Sequence, residues 1–179
     1  MKEKQLDFRE EILKKHSKKH TRFLAEYIGG DEKKFVALIS LFTGDDVRIT
    51  QRAAWIVDAC AEMHPSLAEP YLPLLIAQLN KPVHNAVKRN VLRLLQFRRI
   101  PEELQGRAVE ACFRLLMSAK EPVAVKAFAM TVLFNISEEE PGLRKELRLV
   151  IEDLLPGGSP AIRSRGTKIL KQLRKSDEQ

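Results

Sequence analysis

Cysteine is scarce in this 179-residue chain: Cys60 and Cys112 stand 112 − 60 = 52 positions apart, with no CxxC. That spacing provides neither a disulfide framework nor a cysteine zinc cluster, so two packed free thiols in a reducing compartment are expected. Long apolar runs are missing as well. The longest, "YLPLLIAQL" at 71–79, falls far below the ~20 residues of a membrane-spanning helix. The opening "MKEKQLDFREEILKKH" is too charged for a signal peptide, so a cytoplasmic protein with no membrane partner is expected. Nor does the chain hold a Walker loop, GxGxxG, HExxH or GxSxG. These absences remove the motifs whose mechanism can be read from spacing, and the expectation is a protein that is not an enzyme and uses no cofactor.

Charge and length set the next bounds. Lys plus Arg number 31 against 24 Asp plus Glu, a formal charge of +7, which favours acidic partners without choosing among nucleic acid, acidic protein surfaces and anionic lipid. A chain of this size buries roughly 70% of its unfolded surface and needs no disulfide to hold one domain together.

An internal repeat organises the rest. "PVHNAVKRNVLRLL" at 82–95 is written again as "PVAVKAFAMTVL" at 122–133 and "PAIRSRGTKIL" at 160–170. Taking Lys88, Lys126 and Arg163 as equivalent gives steps of 126 − 88 = 38 and 163 − 126 = 37, the range of two-helix repeats. "DVRITQRAAWIVDACAEM" at 46–63 is a fourth copy; Arg52 as its equivalent gives a step of 36, with an apolar phase that allows a shift of a residue or two.

Another helix-length segment precedes each copy, at 31–43, 66–79, 102–118 and 140–155. In the third of these, Leu104, Ala108, Ala111, Cys112, Leu115 and Leu116 recur at helical spacing, so each repeat reads as a helical hairpin. Ser159-Pro160 has the form of an N-cap followed by proline at the first helical position, and Ser137 with Glu140 has the form of a capping box. Gly29-Gly30 and Gly157-Gly158 suit helix ends, where glycine takes the left-handed conformation cheaply. No segment sustains strand alternation, so the chain is predicted to be all-α.

The repeated openings Pro82-Val83, Pro122-Val123 and Pro160-Ala161, each followed by a cation and an apolar column, together with "PYLPLLIAQL", resemble the HEAT/armadillo family. The resemblance covers roughly residues 31–175. It implies a single right-handed α-solenoid of four to five hairpins, with a capping hairpin at 1–30, repeats at 31–64, 65–100, 101–137 and 138–175, and a tail at 176–179. It also implies that the second helices line a concave binding face.

At about 100° per residue, Val87, Val91, Leu94 and Leu95 fall on one side of the helix over 83–97, and Asn85, Arg89, Arg93 and Gln96 on the other. Ala127, Thr131 and Phe134 match Arg89, Arg93 and Gln96 in the next repeat, and Ser164, Lys168 and Lys171 match them in the last. Arg89, Arg93, Thr131, Phe134, Lys168 and Lys171 are therefore the expected partner-binding residues of a monomeric scaffold for an acidic protein. Two other readings remain open: an apolar strip covered by a neighbouring helix, and a nucleic-acid-binding face.

Four smaller constellations have structural explanations beside chemical ones. His16 and His20 in "HSKKH" have the i, i+4 spacing of metal ligands, but surrounding lysines repel a cation and no third ligand is near, so a solvated basic helix is expected. "KRN" at 88–90 is similar to a basic loop motif of the fumarase/adenylosuccinate lyase superfamily, yet it sits inside a repeat helix without that superfamily's serine-containing stretch. "LPGGSPAIRSRG" offers glycines, Arg163 and Arg165 to a phosphate, or simply ends one helix and begins the next. Trp55 and Asp58 in "RAAWIVDAC" resemble the lesion-cradling pair of HEAT-like alkylpurine DNA glycosylases, although they stand three apart where that pattern has four. Alternatively, Trp55 is the largest core anchor of its repeat and Asp58 a polar position on an exposed or interhelical edge.

Overall fold

Short acceptor side chains fix where the first helices begin. The structure is a computed structural model that describes residues 6–177. Asp7 accepts from the amides of Arg9 and Glu10 at the head of α1 (Phe8–Lys14), and Ser17 from His20 at the head of α2 (Lys18–Ile28). Asp31 and Asp46 do the same for α3 (Glu32–Phe42) and α4 (Val47–Met63). Each such cap satisfies amides that the helix leaves unpaired, and each is worth about 1 kcal/mol. Gly29 ends α2 at φ 53°, a conformation strained for any residue with a Cβ, and its amide returns to Ala25 O at 2.9 Å.

Proline punctuates the remainder. The segment predicted as one helix at 66–79 is divided into α5 (Pro65–Ala68), a 3-10 turn (Glu69–Tyr71) and α6 (Leu72–Gln78). Pro70 and Pro73 have no N–H to donate and crowd the preceding turn, so an uninterrupted ladder cannot pass through them. α7 (Asn85–Leu95) starts two residues later than the Pro82-Val83 opening suggests. Pro122 immediately precedes α9 (Val123–Glu139), and Pro160 is the first residue of α11 (Pro160–Asp177). Ser159 Oγ accepts from Ile162 N at 3.4 Å, as expected of an N-cap. α8 (Glu102–Met117) and α10 (Leu143–Leu154) complete the set, and no strand occurs among the described residues.

Two punctuation marks act differently from expectation. Ser137 opens no helix: it is buried inside α9, where its hydroxyl donates back to Phe134 O at 2.7 Å, so the expected capping box with Glu140 does not form. Gly158 does not adopt positive φ; it is needed for space, because a Cβ there would lie 2.8 Å from Leu154 O.

The contacts divide into two compact units, one ending at Leu94 and the other beginning at Leu95. In the first, α4 packs against α1, α2 and α3 around Ile12, Leu24, Phe35, Leu38 and Phe42. In the second, α9 packs against α8, α10 and α11. Nine of its 17 residues are buried, which leaves α9 without a solvated half. Residues 1–5 of the predicted cap and 178–179 of the predicted tail lie outside the described residues.

Burial refines the repeat register. Val87, Val91, Leu94 and Leu95 are all buried, as the apolar column requires. The buried set Ala53, Val57, Cys60 and Ala61 of α4 superposes on them with a step of 87 − 53 = 34 rather than 36. Trp55 thereby becomes the equivalent of Arg89.

Candidate interaction face on the second helices

In the first unit, the relevant face of α4 carries Arg52, Trp55, Asp58 and Glu62. Arg52 Nη1 donates to the carbonyls of Ile12 and Leu13, 2.9 Å each, placing a cation on the unpaired C-terminal end of α1. Trp55 is half-buried and meets His16 edge to face, with ring centroids 5.3 Å apart. It is therefore not the core anchor that its size suggests. Partial burial, then the Arg52 and Arg89 charges, hold the His16 pKa below the ordinary 6.5, so this imidazole is neutral at pH 7.

Asp58 and Arg93 form one buried link. Asp58 is only 4% exposed; it accepts from Arg93 Nη1, while Arg93 Nη2 reaches Glu62 Oε2 at 3.2 Å. Burial raises the Asp58 pKa from 3.8 to about 6, against the opposing pull of Arg93. The expectation that Arg93 serves as a free surface cation is thus corrected: its charge is committed to two carboxylates on α4. Asp58 takes the interhelical of its two expected edge positions, buried rather than exposed, and its carboxylate is engaged. Arg89 is exposed and makes no ion pair among the described residues.

The second unit separates its predicted residues. Phe134 is 8% exposed, so it offers no apolar contact to a partner; a helix enclosed by three others buries residues that a two-sided wheel places outside. Thr131 Oγ1 donates to Ala127 O at 3.2 Å and accepts from Arg165 Nη1 on α11. Lys168 and Lys171 are exposed on α11 and make no ion pair among the described residues. The glycine-pair phosphate site loses Arg165 to Thr131, and Arg163 stays exposed.

Sequence reasoning missed the side chains that tie one repeat to the next. Arg52 to Leu13, Asn135 Nδ2 to Gln96 O at 2.8 Å and Arg165 to Thr131 join residues 39, 39 and 34 apart. Those separations straddle the repeat step and were the available signal. The two histidines do not converge: His20 stacks on Phe23 and its Nε2 lies 2.8 Å from Glu11 O, whereas His16 lies on Trp55. Among the described residues, no group of three or more His, Cys, Asp or Glu is placed to hold a metal. Burial pushes the thiols of Cys60 and Cys112 up to about 12, so neither is a thiolate at neutral pH.

Helical hairpins recurring at this step are matched by a family model described as a HEAT repeat domain over residues 8–173. The chain belongs to the HEAT repeat family. No curated protein and no solved structure matches it. Its architecture is that of an α-solenoid of HEAT repeats. None of the described helices of this HEAT protein is long and apolar enough to cross a membrane.

Proposed function

We propose that this HEAT-repeat protein is a non-enzymatic, monomeric scaffold that binds an acidic protein partner on its second helices. Its repeats fall at 31–64, 65–100, 101–137 and 138–175 in one solenoid. The observation that carries the reading is that this face holds exposed cations that make no ion pair among the described residues: Arg89 in the first unit, and Lys168 and Lys171 in the second. Each unit has its own basic patch. Trp55, half-exposed beside Arg89's patch, takes the role of apolar anchor that Phe134 cannot fill. Burying an aromatic anchor supplies most of the affinity at such surfaces, while rim cations speed encounter.

The test is capture from nuclease-treated cytoplasmic extract by wild type, Arg89→Glu, Lys168→Glu/Lys171→Glu and Trp55→Ala, across a salt series. A discrete protein retained at moderate salt, and lost with Trp55→Ala, supports the reading. Identical capture by all four proteins rejects it.

One observation favours a second reading, binding of nucleic acid. Lys15, Lys18 and Lys19 are exposed in and beside the α1–α2 turn whose His16 lies on Trp55, and cations around an aromatic platform suit single strands. In that case affinity for an oligonucleotide falls steeply with salt, and Lys18→Glu/Lys19→Glu removes it.

A further inference from the structure

Two glycines lie inside helices, and only one has an internal reason to be there. A Cβ at Gly166 of α11 would come within 2.9 Å of Ile151 Cγ2 and Leu155 Cδ2, so a side chain there would force those packed groups to shift. A Cβ at Gly106 of α8 would meet nothing within 4 Å. Alanine fits Gly106 and suits a helix better, so nothing inside the fold accounts for the bare backbone at this position. Gly106 lines a shallow, open trough that runs along α8 and is bordered by Glu146 of α10.

The trough follows a straight row along α8. Gly106, Glu110, Phe113 and Met117 succeed one another by four, three and four residues, a stripe about 16 Å long parallel to the helix axis. Val109, half-buried, and Met117, 57% exposed, are the apolar surface of this face, and Phe113 beneath them is buried. Glu110 and Glu146 supply two carboxylates with no ion pair among the described residues, against the single guanidinium of Arg114.

We infer that this trough docks an amphipathic helix of a partner protein, bearing apolar anchors flanked by Lys or Arg. A row parallel to α8 suits a helix laid alongside it, with anchors at i, i+3, i+4 and i+7 over Val109 and Met117. Gly106 allows the partner's backbone to approach α8 closely. The two carboxylates select a basic flank and disfavour an acidic one. The site lies on first helices and does not rest on the second-helix reading above.

The probe is a fluorescein-labelled, helix-forming peptide with Leu at those four spacings and flanking Lys, titrated with the full chain and followed by anisotropy. Controls carry Glu for the flanking Lys, or Ser for the Leu. The Lys peptide is expected to bind, and both controls to bind at least about tenfold more weakly, a loss of about 1.4 kcal/mol or more. Glu110→Lys/Glu146→Lys and Gly106→Leu are each expected to weaken it by about tenfold or more. Gly106→Ala is expected to raise Tm by about 3 °C, showing that the glycine does not serve the fold. Arg89→Glu should leave peptide affinity unchanged, which separates this site from the second-helix patch. No binding of the Lys peptide, equal binding of the Glu peptide, or indifference to Gly106→Leu overturns the inference. Self-association of the chain abolished by Gly106→Leu also overturns it, by making a second copy the occupant.

Discussion

Asp58 shows how one residue's burial becomes a property measurable in bulk. Its folded pKa, about 6, lies above the unfolded 3.8, so between those values the folded protein holds a proton that the unfolded chain has released. The resulting stability is complete below about pH 4 and is lost as pH rises through 6, a change of roughly 2–3 kcal/mol from this group. Denaturant unfolding of wild type and Asp58→Asn at pH 4 and pH 7 is expected to show the wild type losing that much relative to the variant. Parallel pH curves would mean that the carboxylate is better solvated than its 4% exposure implies. Trp55 differs in kind: because it is only half-buried, Trp55→Ala should cost about 2 kcal/mol rather than the 3–5 of a fully buried aromatic.

At the scale of the element, α9 is the helix on which the second unit depends. Leu133 is 1% exposed on it, with α8, α10 and α11 packed around. Leu133→Asp places an unpaired charge in that apolar setting and should destabilise the protein by about 4 kcal/mol in denaturant titration. The same substitution at Val123, 42% exposed at the start of α9, should change stability by less than about 0.5 kcal/mol, since a carboxylate also suits a helix N-terminus. Asp46 tests the other kind of local determinant. Asp46→Ala removes the acceptor for Arg48 N and Ile49 N and should cost about 1 kcal/mol.

For the whole molecule, circular dichroism should show helix with no sheet component. The engaged, buried Asp58 has a catalytic consequence: incubation with alkylated duplex DNA should yield no abasic sites above the background of a Trp55→Ala/Asp58→Asn control. Sites formed by wild type and absent from that control would refute the non-enzymatic reading. Stability of the double variant has to be matched in this comparison, because Asp58 also links α4 to α7 through Arg93.

The sequence alone determined the helical class, the steps of 38 and 37 and the buried column Val87, Val91, Leu94 and Leu95, because amphipathic periodicity and proline punctuation are local properties. The broken segment at 65–78 was legible too, in Pro70 and Pro73, had their missing donors been weighed against the apolar pattern. The candidate face was legible only in part. Arg89, Lys168 and Lys171 are exposed where the wheel puts them, since polar residues opposite an apolar column have no competing place to go. Phe134 was not legible: on a helix apolar around most of its surface, only the arrangement of its neighbours decides which side is covered. Arg93 and Trp55 were hidden for another reason. Pairing residues 93 − 58 = 35 apart depends on how adjacent repeats register, and two residues' error in the first step moves Trp55 from the core to the face. Tertiary packing settled those positions because ion pairing and burial are relations between segments distant in the chain, which no local period records.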